Sequence, residues 1–266
     1  MKFLVCVKQV PASNEARIDP VTGSLMREGI ESILNPFDAY AVEEALRLRE
    51  VAGGSICALS MGIPAAAEML RGLLALGVDR AALLTDRAFA GADTLATARA
   101  LRLGAEKLGG ADLLLLGKMA TDGDTAQVGP MLAQLMGIPH IADVSRVVSL
   151  SEREILVEKL TDDGYLRVAC PLPALITVVK EINVPRLPSI SGVLRAKDAS
   201  IDLWSAQEIG ADPGTIGLKG SATRVVRSWR PERAVSCALC SDARDLLEKA
   251  GMLGETAAER EEERHA

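Results

Sequence analysis

Four short, continuously apolar runs, alternating with helical patterns, constrain this chain more than any other feature. They are Phe3–Val7 (FLVCV), Ser55–Ser60 (SICALS), Ala81–Thr85 (AALLT) and Asp112–Gly117 (DLLLLG). A strand that is apolar at successive positions has to be covered on both faces, as happens in parallel sheets. Between and after these runs the spacing turns helical. Asp38–Arg49 (DAYAVEEALRLR) puts Ala41, Ala45 and Leu48 on one side, with Glu43, Glu44 and Arg47 expected outside. Similar patterns cover Ala65–Ala75, Thr94 to Leu108 and the residues that follow Gly117. The repeated β–α unit predicts an α/β fold, a mainly parallel sheet with helices on both faces. Aromatic residues make up only 3% of the chain, so Ala, Val, Leu and Ile must build the core.

The pattern changes after Gly137. Ile141–Leu150, Glu154–Leu160 and Tyr165–Ala169 read as strands, and Asp162-Asp163-Gly164 between the last two is a hairpin signal. Ala174–Lys180 (ALITVVK) is a further buried strand returning to the sheet. From Glu181 onward, Pro185, Pro188, Pro213 and several glycines leave regular structure sparse. Arg224, Arg227, Arg230 and Arg233 recur at every third position along an irregular arm, either solvated or laid on a partner. Ser241–Ala250 reads as a short helix with Ser241 as N-cap, Leu246 and Leu247 inward and Gly251 past its end. Residues 255–266 form a charged tail. These features divide the chain into an α/β domain over 1–220, carrying a small β-hairpin addition, and an extended C-terminal arm over 221–266.

A net charge of −6 leaves no basic excess to neutralise phosphates, so nucleic acid is not an expected partner. The longest apolar runs, such as Leu113 to Leu116, fall far short of the ~20 residues that span a bilayer. No signal-peptide pattern precedes Lys8, and a cytoplasmic protein without membrane insertion is expected. Five scattered cysteines (Cys6, Cys57, Cys170, Cys237 and Cys240) read as reduced thiols. Cys237-Ala-Leu-Cys240 is a CxxC without a second pair, and only His140 and His265 could complete a metal site. It receives no role, and no metal is expected. No GxSxG, HExxH or kinase-like set occurs, and no nucleophile or acid–base pair stands out, so no catalytic residue is expected. Such a chain holds a cofactor that does its own chemistry.

In an open parallel sheet, ligands bind outside the carboxyl ends of the strands. Four segments qualify: Cys6–Pro11, Ser60–Pro64, Thr85–Thr97 and Gly117–Pro130. The last runs Gly117-Lys-Met-Ala-Thr-Asp-Gly-Asp-Thr-Ala-Gln-Val-Gly-Pro130, a strand end, a turn of small residues and a helix start. Its backbone N–H groups suit a phosphate or pyrophosphate, Gly123 and Gly129 permit close approach, and Thr125 and Gln127 add donors. Pro130 fits if it lies in the first helical turn. The spacing is neither a Walker A loop nor a GxGxxG, so a plain β–α connection is an equal reading on these grounds. At the third strand end, Asp93 or Thr94 would cap a helix with Thr97 one turn along the same face; a simple cap is the plainer reading there.

Taken in order, Val5-Cys-Val-Lys-Gln-Val-Pro11, Asn35-Pro-Phe-Asp38 with Ala41-Val-Glu-Glu-Ala45, Gly77-Val-Asp79, Gly117-Lys118, Asp122–Pro130 and Asn183-Val-Pro-Arg-Leu-Pro188 followed by Ala196-Lys197 resemble the β subunit of electron-transfer flavoproteins. The likeness runs from the first strand to about Gly251. It implies a Rossmann-like, adenine-nucleotide α-hydrolase-like domain in a heterodimer whose α subunit carries FAD. It also implies an adenosine-type nucleotide in this subunit. That nucleotide is a structural AMP in much of the family, and in the flavin-bifurcating branch a second FAD that accepts a hydride from NADH. Electrons then pass to the α-subunit FAD and an acyl-CoA-type dehydrogenase, and to ferredoxin or flavodoxin.

By position, the resemblance assigns nucleotide contacts to Cys6, Asn35, Pro36, Phe37, Asp38 and Met61. It adds the loop residues Asp122, Gly123, Asp124, Thr125, Ala126, Gln127, Val128, Gly129 and Pro130. The loop is similar to the bifurcating version, as is Gly91–Thr97, where Asp93, Thr94 and Thr97 would face the extra flavin. FAD is therefore the expectation and AMP the alternative. Asn183–Lys197 matches the segment that docks a partner dehydrogenase, with Leu187, beside Pro188, resembling its leucine anchor. The CxxC is not a feature of the family.

Overall fold

The four apolar runs become four adjacent parallel strands. A computed structural model describes residues 1–12, 17–18, 25–26, 32–226 and 237–252. In chain order the elements are β1 (Lys2–Val7), β2 (Gln9–Pro11), β3 (Arg17–Ile18), β4 (Leu25–Met26), β5 (Ser32–Leu34), α1 (Pro36–Ala52), β6 (Ser55–Met61), α2 (Ala66–Leu76), β7 (Arg80–Leu84), α3 (Thr94–Lys107), β8 (Leu113–Gly117) and α4 (Val128–Met136). They continue with β9 (His140–Leu150), β10 (Glu154–Thr161), β11 (Gly164–Pro171), β12 (Ala174–Val178), α5 (Ile190–Lys197), β13 (Asp202–Trp204), α6 (Gly217–Gly220) and α7 (Ala243–Lys249). The chain divides into two compact units, Met1–Arg227 and Ser228–Ala266.

The first unit holds a nine-stranded sheet in the order β11-β10-β9-β12-β8-β1-β6-β7-β13. Every pairing from β9 to β13 is parallel, and the β10–β11 hairpin joins β9 antiparallel. Successive residues of β1 serve opposite faces, as the pleat requires. Phe3, Val5 and Val7 pack with Val42 and Leu46 of α1 and Leu70 and Leu73 of α2, whereas Leu4 and Cys6 pack with Leu101 of α3 and Leu132 of α4. The chain moves from β1 through β6 to β7 and then crosses back to lay β8 on the other side of β1. The crevice between the carboxyl ends of β1 and β8 is therefore the topological switch point, where an open α/β sheet admits a ligand.

Several expectations need correction. Glu43 and Glu44 are buried rather than outside, because Arg186 and Asn183 come from far along the chain to pair with them. The stretch after Glu181 contains α5, whose N-cap Ser189 accepts a hydrogen bond from the Gly192 N–H (3.0 Å), and the edge strand β13. The last helix starts one residue later than expected. Asp242 caps it, accepting from the Asp245 N–H (2.9 Å), while the N–H of Ser241 donates to the Asp245 carboxylate. Leu246 and Leu247 are exposed rather than inward, since the described part of this short unit has no buried residue to pack them on. Arg224 is exposed, and Arg227, Arg230, Arg233 and the tail 255–266 lie outside the described residues.

Candidate nucleotide site

Two buried side chains at the start of α1 build the floor of the switch-point crevice. Asn35, 1% exposed, donates its amide to the Met119 carbonyl (2.9 Å) and accepts from the Thr121 N–H (3.2 Å), while its own N–H donates to the Lys8 carbonyl (2.8 Å). Asp38 accepts from the Lys8 N–H at 2.7 Å and the Gly117 N–H at 3.2 Å. Pro36, at the first helical position, has no N–H to satisfy and starts the helix at a preset φ. Asn35 does not cap its own helix; its side chain is spent holding the loop after β8, while the Asp38 carboxylate links the ends of β1 and β8. A Cβ on Gly117 would lie 2.6 Å from Asp38 Oδ1 and from Phe37, so only glycine allows this approach.

Burial pushes the Asp38 carboxyl up to about 7, against the opposing hydrogen bonds from the Lys8 and Gly117 N–H groups. Burial, with a smaller effect from Asp38, pushes the Cys6 thiol up to about 12. Cys6 is thus a neutral member of the core on the α3–α4 face rather than a reactive thiol.

Above this floor, Thr121 through Gln127 are all exposed. The residues in left-handed backbone are Asp124 (φ +52°) and Ala126 (φ +53°), neither of them glycine, and each such residue costs roughly 1 kcal/mol or more. The N–H groups of Gly123 and Asp124 are used by the Ala120 carbonyl. Those of Thr125 and Ala126 donate to no protein group among the described residues. Gly123 is open: nothing lies within 4 Å of a Cβ placed on it. Gly129 differs, because its Cβ would meet Thr177 at 2.5 Å. Its closeness serves the packing of α4 on β12. Pro130 lies in the first turn of α4, and Val128 begins that helix.

Asp122 is ion-paired with Lys8 across the crevice, with Nζ 2.6 and 2.9 Å from its two oxygens. Lys8 was not among the expected contacts. Its place directly after β1, inside the Val5–Pro11 motif, was the available signal. Beyond the end of β7, three strands along the sheet from β8, the Thr94 hydroxyl donates to Gln127 Oε1 at 3.0 Å and so joins the start of α3 to the start of α4. Asp93 is consumed locally. It caps α3 through the Ala96 N–H (2.9 Å) and binds the N–H and hydroxyl of Thr223 (2.8 and 3.0 Å). Burial alone would raise its carboxyl, but these bonds outweigh it and hold the group below the usual range. Thr97 and Met61 are half-buried at the same edge of the sheet. Away from the crevice, Leu187 is 89% exposed and Pro188 is exposed beside it.

A model of the electron transfer flavoprotein domain matches residues 22–209. The electron transfer flavoprotein subunit beta of Thermoanaerobacterium thermosaccharolyticum is 48% identical over 237 residues, covering 88% of this chain and 90% of the relative. The chain belongs to the electron transfer flavoprotein β-subunit family. The caffeyl-CoA reductase-Etf complex subunit CarD of Acetobacterium woodii is 46% identical over 232 residues, covering 87% of this chain and 88% of that one. Protein FixA of Azorhizobium caulinodans is 44% identical over 238 residues, with 87% and 85% covered. Among the described residues of this β-subunit homologue, no group of three or more His, Cys, Asp or Glu side chains could hold a metal ion.

Proposed function

We propose that this chain, paired with an α subunit, binds FAD at the β1–β8 crevice and accepts a hydride from NADH. One electron goes to the α-subunit FAD and on to an acyl-CoA-type dehydrogenase, the other to ferredoxin or flavodoxin. When bound, FAD supplies the chemistry that divides one two-electron donor between two one-electron paths. The chain's own residues bind and orient. The N–H groups of Thr125 and Ala126, which have no protein acceptor among the described residues, and the starts of α3 and α4 offer donors to a pyrophosphate at a site where helix dipoles favour anions. The Lys8 ammonium is already paired with Asp122, so backbone donors carry most of this recognition. The Thr94–Gln127 bond joins the loop to the start of α3 and extends the polar rim in that direction, which suits a dinucleotide better than a mononucleotide.

The observation that carries the reading is the open space at Gly123, within an exposed and locally strained loop that ends on the Thr94–Gln127 bond. The name of the Acetobacterium woodii relative, a subunit of a caffeyl-CoA reductase-Etf complex, supports an acyl-CoA-type partner. Leu187 and Pro188 are read as the docking contact for that partner, and the arm over 221–266 as packing on the α subunit. No helix among the described residues is long and apolar enough to cross a membrane. The cytoplasmic assignment rests on NADH and ferredoxin as redox partners.

The test is a reconstituted reaction with the α subunit, an acyl-CoA dehydrogenase and ferredoxin. NADH is expected to reduce ferredoxin only while the acyl-CoA-type acceptor is being reduced as well. Equal ferredoxin reduction without that acceptor contradicts bifurcation. In the same assay Leu187→Ala is expected to lower coupled turnover about tenfold, as for a buried interface anchor, and to spare NADH oxidation by an artificial acceptor. Equal loss of both would give Leu187 a different job.

A further inference from the structure

The segment after β12 is fixed at both ends and free in the middle. At its start, the buried Asn183 donates its amide to the Tyr40 carbonyl and to Glu44 Oε2, both at 3.0 Å. Three residues later, Arg186 reaches α1 with its backbone and its whole guanidinium. Its N–H (3.1 Å) and Nε (2.8 Å) donate to Glu43 Oε2, its Nη2 to Glu43 Oε1 (3.0 Å), and its Nη1 to Glu50. Arg47 adds a bond to Glu43 Oε1 at 3.0 Å. At the other end α5 lies against α2. A Cβ on Gly192 would sit 2.1 Å from the Ala75 carbonyl oxygen, and Arg71 donates to the carbonyls of Ala196, Lys197 and Ala199. Between these anchors Val184, Leu187 and Ile190 are 78%, 89% and 83% exposed.

The start of this segment is held by charge chemistry that its exposure does not require. Glu43 is 4% exposed, and a buried carboxylate is retained only when its oxygens are fully paired. Here four donors from Arg186 and Arg47 do so, outweighing burial and holding the Glu43 carboxyl below its ordinary range. The partners are 143 residues apart in the chain, so the contact defines where the segment lies rather than supporting a local helix.

We propose that Glu43 and Glu44 of α1 are positioning residues for partner docking, clamping Arg186 and Asn183 so that Leu187 is presented in one place. This rests on the reading of Leu187 as the docking anchor. A contact made by one exposed side chain gains affinity when its backbone is ordered before the encounter, because that ordering is then not charged to binding. Glu43 is buried and reaches no partner itself, so its effect runs through Arg186.

The experiment uses the flavin-loaded heterodimer and Glu43→Gln, which removes the charge and turns an acceptor into a donor facing the Arg186 fork. Amide hydrogen exchange over residues 184–189 is expected to quicken at least tenfold, while exchange in the 121–127 loop and the FAD content stay unchanged. With an acyl-CoA dehydrogenase that takes electrons from the wild type, the KM for that dehydrogenase is expected to rise about tenfold at nearly constant kcat. Arg186→Lys keeps the charge without the fork and is expected to fall between the two; it carries the test if Glu43→Gln does not fold. Unchanged exchange over 184–189 in the variants overturns the clamp. So does faster exchange with an unaltered KM, and so does a fall in kcat or FAD content that matches any change in KM. Leu187→Ala separates the two readings. If it raises KM while Glu43→Gln and Arg186→Lys do not, the docking contact stands and the clamp fails. If it too leaves KM unchanged, the docking reading itself has failed.

Discussion

Gly123→Glu is expected to leave the heterodimer folded and to remove the flavin of this subunit. Nothing lies within 4 Å of a Cβ at this position, and its backbone is outside the left-handed region, so the protein itself has no reason to require glycine there. A surface change of that kind alters stability by less than about 0.5 kcal/mol. The effect on a pyrophosphate is much larger. A carboxylate placed about 5 Å from a phosphate charge, at an effective dielectric of about 20, opposes binding by roughly 3 kcal/mol. That corresponds to a loss of more than about a hundredfold in affinity. Acid-released FAD per heterodimer measures the loss, and the thermal midpoint of the apoprotein controls for folding. Undiminished flavin in a stable variant would place the phosphates elsewhere.

Gly117→Ala is expected to do the opposite, damaging the fold before any ligand is considered. Its new methyl group would overlap Asp38 Oδ1 and Phe37 at 2.6 Å, at the point where the start of α1 lies against the end of β8. Relief requires moving α1 away and stretching the bond from the Gly117 N–H to Asp38, now 3.2 Å long. Overpacking costs about 1–3 kcal/mol and a weakened hydrogen bond about 0.5–1.5 kcal/mol. A combined loss of about 3 kcal/mol lowers the thermal midpoint of a domain this size by roughly 10 °C. A fall of less than about 2 °C would show that α1 and β8 are not locked together as described.

What could be read from the sequence was what is local. The β–α units announced themselves because a buried parallel strand is apolar at consecutive positions and its helix at every third or fourth. The three-residue edge strand β13 carries too little pattern to be seen, and it pairs with β7 alone. Helix α5 was hidden behind Pro185 and Pro188, although Ser189 with Gly192 three residues on is an ordinary start signal. At the last helix, Ser241 and Asp242 are both good caps, and only the geometry selects Asp242.

The site followed the same division. The loop after β8 stood out by its small residues and its place at a strand end. The chemistry inside it did not. The left-handed positions fell on Asp124 and Ala126 rather than on Gly123, and the closeness at Gly129 proved to be helix-to-strand packing. The resemblance assigns Asn35 and Asp38 to nucleotide contacts, yet their side chains hold backbone groups of two neighbouring segments. Nothing local distinguishes a residue that touches a ligand from one that shapes the loop that does. Glu43 and Glu44 show the limit most directly. A helix with acidic residues away from its apolar stripe reads as solvated until a partner arrives from the far end of the chain.

The most direct measurement is the nucleotide content of the purified heterodimer, with ligands released by acid and FAD and AMP quantified per complex. Two FAD and no AMP are expected, one flavin belonging to each subunit. One FAD and one AMP would contradict the proposed function and leave this chain as the structural and docking half of an electron carrier with a single flavin.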